Sequence, residues 1–202
     1  AIPAMLNGAD VMMKAKTGTG KTIGYLTPIV QWLANREQRL PRDAGTQALV
    51  IVPTRELGLQ VHDVYTQMTR PFHWLVGGLL IGGEKKKSEK ARIRKGLLVV
   101  VGTPGRLADH VATTQAFNFS PMQFLVLDEA DRLMDMGFDR DVTKICDFVR
   151  DSRDTSLKDR MQTILVSATL DAKVRELAAW SLKSPIMVTD DADGARTPQN
   201  LD

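Results

Sequence analysis

Cysteine is nearly absent: Cys146 alone stands among 202 residues, so no disulfide framework can form within the chain. Cys146 lies in a helix-like segment with no histidine near it in sequence and is read as a packing residue, and such sparing use of thiols fits a reducing intracellular compartment. Aromatic residues are also scarce, at 5%. Trp32, Trp74 and Trp180 fall inside element interiors, where they are expected to fill the core and not to stack on bases. His62, His73 and His110 are not spaced as ligands, which leaves no zinc pattern. No apolar run is long enough to cross a bilayer, and neither internal repeats nor low-complexity tracts occur. The chain opens at Ala1 without a methionine and shows no signal or transit pattern, so a native N-terminus upstream is expected.

What is present suits one α/β domain. Hydrophobic residues make up 43% and charged residues 25%, ordinary values for a soluble domain with a core of its own. The net charge of +3 hides a local excess. From Glu84 to Lys95, Lys85, Lys86, Lys87, Lys90, Arg92, Arg94 and Lys95 face only two acidic residues, so the rest of the chain is slightly acidic. With Ala91 and Ile93 as its main apolar anchors, that segment reads by default as a solvated helix face, with direct contact to RNA or protein as the alternative.

Short apolar runs alternate with helical patterns. Strands are expected at Val11–Met13, Ala48–Val52, Trp74–Ile81, Leu97–Val101, Phe124–Leu127, Thr163–Val166 and Ile186–Val188. Helices are expected near 1–7, 20–35, 54–69, 83–95, 104–113, 130–150 (as two segments) and 171–182, with a charged surface loop at 151–160. Fully apolar strands alternating with helices imply a mostly parallel central sheet with helices on both faces. Residues 1–188 then form the domain, and 189–202 a linker. In such a sheet ligands bind beyond the carboxyl ends of the strands, so the residues after each strand carry the information.

After the first strand come Ala15, Lys16, Thr17, Gly18, Thr19, Gly20, Lys21 and Thr22. A glycine-rich turn entering a helix cradles phosphates with its backbone N–H groups. Lys21 can reach the β- and γ-phosphates, and the Thr22 hydroxyl can ligate Mg²⁺. Only Ala15 departs from the general pattern, which has glycine there. Asp128, after another apolar strand, is placed to hold Mg²⁺, and Glu129 to orient or deprotonate an attacking water. The same pair could simply favour a helix N-terminus, but the phosphate loop upstream favours the catalytic reading. Ser167-Ala168-Thr169 follows a third strand, where a hydroxyl could cap the next helix or report phosphate state. Pro53-Thr54-Arg55-Glu56 and Thr103-Pro104-Gly105-Arg106 each bring a hydroxyl and an arginine to a helix start. Either they are helix-start chemistry, or with Gly82-Gly83 they form a track for a sugar-phosphate backbone. Three such clusters on one rim favour nucleic acid.

These clusters in this order resemble the DEAD-box family of ATP-dependent RNA helicases, and specifically the first of its two RecA-like domains, with a likeness that covers nearly the whole chain. Ala15 in the first loop position is usual in that family, while Gly58 stands where it often has alanine. The resemblance implies ATP and Mg²⁺ as cofactors, with Lys21, Asp128 and Glu129 catalytic and Thr22 and Asp128 on the metal. It also implies RNA contacts at Pro53, Thr54, Arg55, Gly82, Gly83, Thr103, Pro104, Gly105 and Arg106, and coupling through Asp131, Ser167 and Thr169. A second RecA-like domain, a monomeric state and no membrane association are expected with it. The run Gly82 to Gly96, with Pro71-Phe72 and Trp74 upstream, is similar to the nucleolar subgroup that assembles the large ribosomal subunit, and implies a specific contact for the basic segment.

Overall fold

Strands apolar on both faces must be covered on both, and the computed structural model of the chain, which describes residues 1–16, 18–154 and 161–189, meets that need with a two-sided sheet. Seven strands, β1 (Val11–Lys14), β2 (Ala48–Ile51), β3 (Gly77–Leu80), β4 (Val99–Gly102), β5 (Phe124–Leu127), β6 (Gln162–Ser167) and β7 (Ile186–Thr189), form one sheet. Their order is β3-β4-β2-β5-β6-β1-β7. Every pairing among the described residues is parallel. The eight described helices are α1 (Ile2–Leu6), α2 (Lys21–Ala34), α3 (Arg55–Met68), α4 (Lys86–Arg94), α5 (Pro104–Thr113), α6 (Ala130–Asp135), α7 (Asp139–Ser152) and α8 (Ala172–Ser181).

Successive side chains of a strand point to opposite faces, and the core divides accordingly. On one face Val50, Val126, Ile164 and Met13 pack with Met5 of α1, Leu26 and Ile29 of α2 and Val61 of α3. On the other, Leu49, Leu125, Leu165 and Met12 pack with Ile93 of α4, Leu107 of α5, Leu133 of α6, Ile145 and Cys146 of α7 and Val174 of α8. Burial pushes the Cys146 thiol up to about 12, so it is an inert packing group.

Five expectations change. The third strand is shorter, because residues 69–75 form turns in which the N–H groups of Phe72 and Leu75 bond to the carbonyls of Thr69 and Phe72. The three tryptophans pack against the core only from its margin: each is half-buried, with the guanidinium of Arg36, Arg39 or Arg150 lying 4.0–4.4 Å above its ring. In the basic segment Ala91 is exposed, and the residues turned inward are Ile93 and Glu89. Ser167 does not cap α8; Asp171 does, accepting from the Val174 N–H at 2.9 Å. The expected surface loop begins later, since α7 runs to Ser152; residues 155–160, and 190–202 of the expected linker, lie outside the described residues.

At the amino edge of the sheet, Asp10 holds two neighbouring segments to β1. It is 1% exposed, and its carboxylate accepts from the N–H of Thr163 at 2.8 Å and of Lys183 at 2.7 Å. A buried N–H left unpaired costs on the order of 1–3 kcal/mol. Asp10→Ala is therefore expected to lower the unfolding free energy in urea by roughly 3 kcal/mol, and a loss within experimental error would show that these amides find other partners.

Candidate functional site

The strand order sorts the clusters. β1, β6 and β5 are neighbours, so the phosphate loop, Ser167-Ala168-Thr169 and Asp128–Asp131 come together. β2, β4 and β3 are neighbours too, which groups Pro53–Glu56, Thr103–Arg106 and Gly82-Gly83. The halves meet where β2 pairs with β5, and the Asp128 N–H bonds to the Ile51 carbonyl at 3.0 Å.

In the first half, Gly18 and Gly20 have φ of 83° and 77°, left-handed values that only glycine adopts without strain. Gly20 caps α2 without a side chain, which leaves the first N–H groups of the helix facing outward for an anion. Lys21 donates from Nζ to the Ala15 carbonyl at 2.7 Å and so spans the loop. Thr17 lies outside the described residues.

Asp128 is 2% exposed. Its Oδ1 accepts from the Glu129 N–H at 2.9 Å, and its Oδ2 from the Tyr25 hydroxyl at 2.8 Å. Burial raises its carboxyl above the ordinary range, against the opposing pull of the Tyr25 hydrogen bond and of Lys21. Glu129 is one of two described residues other than glycine with a left-handed backbone, at φ 49°; a strain of this kind costs about 1–3 kcal/mol and gathers at functional positions. Its carboxylate meets the exposed Arg132 at 2.8 Å, a pairing weak enough to give way to a ligand.

Asp131 ties two clusters together. Its Oδ2 accepts from the N–H groups of Ala168 and Thr169 at 3.1 and 3.2 Å and from the Thr169 hydroxyl at 3.4 Å, while its own N–H donates to Ser167 Oγ at 3.3 Å. The acidic strand end and the Ser-Ala-Thr segment are thereby joined directly.

The second half lines an open cleft of about 500 Å³ bounded by Pro53, Thr54, Arg55, Gly82, Thr103, Gly105 and Arg106, with Met136 and Phe138 as apolar walls that sequence reading had missed. Thr54 caps α3, its hydroxyl accepting from the Leu57 N–H at 3.2 Å, and Pro104 opens α5. A side chain on Gly82 or Gly83, both left-handed, would meet the Arg55 guanidinium at 3.4 or 3.1 Å. Arg55 is thus exposed and laid over the glycine doublet. Arg106, in contrast, is held: its Nε lies 3.0 Å from Glu89 Oε2 without an aligned hydrogen bond, and its Nη2 donates to the Glu84 carbonyl at 2.8 Å.

Glu89 was not singled out in the sequence. It is 1% exposed and also meets His110 Nε2 at 2.9 Å, while His110 Nδ1 lies 3.0 Å from Thr114 Oγ1. Lys86 bonds to Asp109 at 2.6 Å, and Lys90 to the Thr113 carbonyl at 3.0 Å. The basic segment is therefore docked on α5 along one side. A cavity of about 1080 Å³ lies at the opposite edge against Trp32, Arg36, Gln123 and Gln162 and touches none of the expected site residues.

A glycine-rich cradle ahead of a helix, with a buried carboxylate two strands away, defines a P-loop nucleotide-binding domain of the RecA-like kind. The DEAD/DEAH box helicase family model matches residues 1–177. The chain belongs to that family. It is 44% identical over 198 residues to a probable ATP-dependent RNA helicase of Drosophila melanogaster, CG8611, covering 96% of this chain and 20% of that protein. It is 42% identical over 211 residues to the ATP-dependent RNA helicase DBP7 of Meyerozyma guilliermondii (100% and 28% covered). It is 45% identical over 189 residues to the human ATP-dependent DNA helicase DDX31 (94% and 22%). Among solved structures it resembles the yeast DEAD-box splicing factor Prp28, with a TM-score of 0.85 and 28% identity over 93% of this chain and 43% of that one. The chain thus spans about a fifth to just over a quarter of these curated relatives.

Two outcomes follow from the buried charges. Below the unfolded carboxylate range Asp128 is protonated in both states; as pH rises the unfolded chain ionises first, so stability falls until the folded carboxyl ionises too. Asp128→Asn is therefore expected to melt higher than the parent near neutral pH, with the difference closing towards about pH 4; a variant that melts lower near neutrality contradicts this. Glu89→Ala strands His110 and Arg106 and is expected to cost roughly 3 kcal/mol, read by urea unfolding, against a near-neutral result if α4 merely floats on solvent.

Proposed function

We propose that this chain is the ATP-binding half of an RNA-remodelling ATPase: the nucleotide binds across the ends of β1, β6 and β5, and single-stranded RNA is gripped by its backbone along the ends of β2, β4 and β3. The observation that carries this reading is the contiguity of two chemically distinct half-rims joined at the β2–β5 pairing. Lys21 exchanges the Ala15 carbonyl for phosphate oxygens. Glu129 orients the attacking water and accepts its proton. Asp131 passes movement at the acidic strand end to Ser167 and Thr169.

A hard divalent ion fits the donor set. Thr22 offers a hydroxyl and Asp128 a buried carboxylate with both oxygens oriented, while the described residues contain no cluster of three or more metal-ligating side chains that could form a complete cage. A site of so few protein oxygens suits Mg²⁺ brought with the nucleotide, which neutralises phosphate charge and polarises the bond that breaks. On the RNA side Pro53, Thr54, Arg55, Gly82, Gly83, Thr103, Pro104 and Gly105 supply hydroxyls, backbone and the exposed guanidinium of Arg55, and Arg106 shapes the groove as much as it contacts the chain. A second RecA-like domain would contribute arginines across the cleft, so this domain by itself hydrolyses ATP slowly. Arginines of that kind are worth roughly 10³–10⁵ in rate in related enzymes. A monomeric nucleolar protein acting on pre-ribosomal RNA is the setting suggested by the Gly82–Gly96 run and by the similarity to DBP7 proteins.

A second reading is an ATP-gated RNA clamp in which hydrolysis only resets binding. Glu129→Gln separates the two: loss of the base should slow hydrolysis by about 10²–10⁴ with ATP and RNA binding intact. Under the helicase reading strand separation over many turnovers falls equally, whereas undiminished remodelling would leave only the clamp. Lys21→Ala should abolish nucleotide binding in either case. ATPase stimulation by single-stranded DNA equal to that by RNA of the same length would remove the RNA assignment, a comparison made pertinent by the similarity to the human ATP-dependent DNA helicase DDX31.

A further inference from the structure

Tyr25 stands one helical turn beyond Thr22 on α2. Its ring has no accessible surface and packs in the cluster that holds Leu26, Ile29 and Val50. Phenylalanine would fill that space equally well, so packing does not explain the hydroxyl. The hydroxyl instead donates to Asp128 Oδ2 at 2.8 Å across 103 positions of sequence. Asp128 Oδ1 is meanwhile held by the Glu129 N–H at 2.9 Å. A carboxylate gripped at both oxygens from two different elements has one orientation left, and the lone pairs not used by these bonds are those available to a ligand.

On the reading that Asp128 serves a nucleotide-bound divalent ion, we propose that Tyr25 is its positioning residue: the phenol locks the Asp128 rotamer and sets the separation between the phosphate-loop helix and the end of β5, and so sets the affinity for metal–nucleotide over metal-free nucleotide. Outer partners of ligating carboxylates act in this way, and removing one commonly costs 10–100-fold in metal affinity.

The test is Tyr25→Phe, which keeps the ring and removes the bond. Binding of a fluorescent ATP analogue is measured in EDTA and across a Mg²⁺ titration, and Mn²⁺ with ATP is followed by electron paramagnetic resonance. Expected are unchanged affinity in EDTA, a half-saturating Mg²⁺ concentration raised about 10-fold, and a broadened Mn²⁺ spectrum. In an Asp128→Ala background the same substitution should add nothing. A Mg²⁺ dependence equal to that of the parent overturns the proposal, as does an equal loss with and without metal, which would mark a packing role. If Asp128→Ala alone leaves the Mg²⁺ dependence intact, the metal reading of Asp128 fails first and takes the Tyr25 role with it.

Discussion

Everything in this domain depends on the parallel ladder. Parallel strands cannot be joined by tight turns, so each must be followed by a crossover that returns the chain to the starting edge. All seven strands therefore finish on one rim, and the segments leaving them are the ones free to carry polar chemistry. The strand interiors cannot: both their faces are roofed by helices, and an unpaired polar side chain there would be costly. Chemistry is confined to the rim by exclusion, and the strand order then decides which clusters become neighbours.

The polar groups that are nonetheless buried form bridges between elements. Asp10 accepts from amides beside two strands, Asp131 from two amides of the Ser-Ala-Thr segment, and Asp128 from a phenol and an amide. Asp10 and Asp128 each satisfy donors on two separate pieces of chain, and Asp131 ties the Ser-Ala-Thr segment to its own, so the elements are fixed in relative position as well as in register. Such preorganisation holds reacting groups in place before a ligand arrives. It also means that displacement of one strand end is shared with the next.

The architecture was legible because an apolar run of four or five residues followed by glycine, proline or aspartate is both a buried strand and its end. The phosphate loop, the acidic tetrad and the three hydroxyl-bearing clusters all stand at such ends. What escaped notice depends on which way a side chain faces. Glu89 was counted as one of two acids in a basic run, yet it is the residue of α4 turned most fully inward; charge counting has no helical phase. Tyr25 was not singled out, since nothing in a helical pattern separates a phenol from a phenyl ring. The tryptophans looked internal because they sit within or beside elements, whereas their rings lie at the edges beneath arginines. Ser167 suggested a cap because hydroxyls often are caps, but Asp171 lies closer to the helix start and took that role.

The docking of α4 changes what its charge means. Lys86 and Arg92 face carboxylates, and Lys90 is held by a carbonyl, so fewer cations remain to displace the counterions condensed on a nucleic acid. Each phosphate neutralised contributes about −0.7 to the slope of log affinity against log salt for a single strand. An electrostatic footprint reckoned from the seven basic residues of this run would overstate that slope, and the segment is better regarded as an internal brace with a cationic outer edge at Lys85, Lys87, Arg94 and Lys95. On the RNA-binding reading its contribution would be chiefly mechanical: it keeps the guanidinium of Arg106 still.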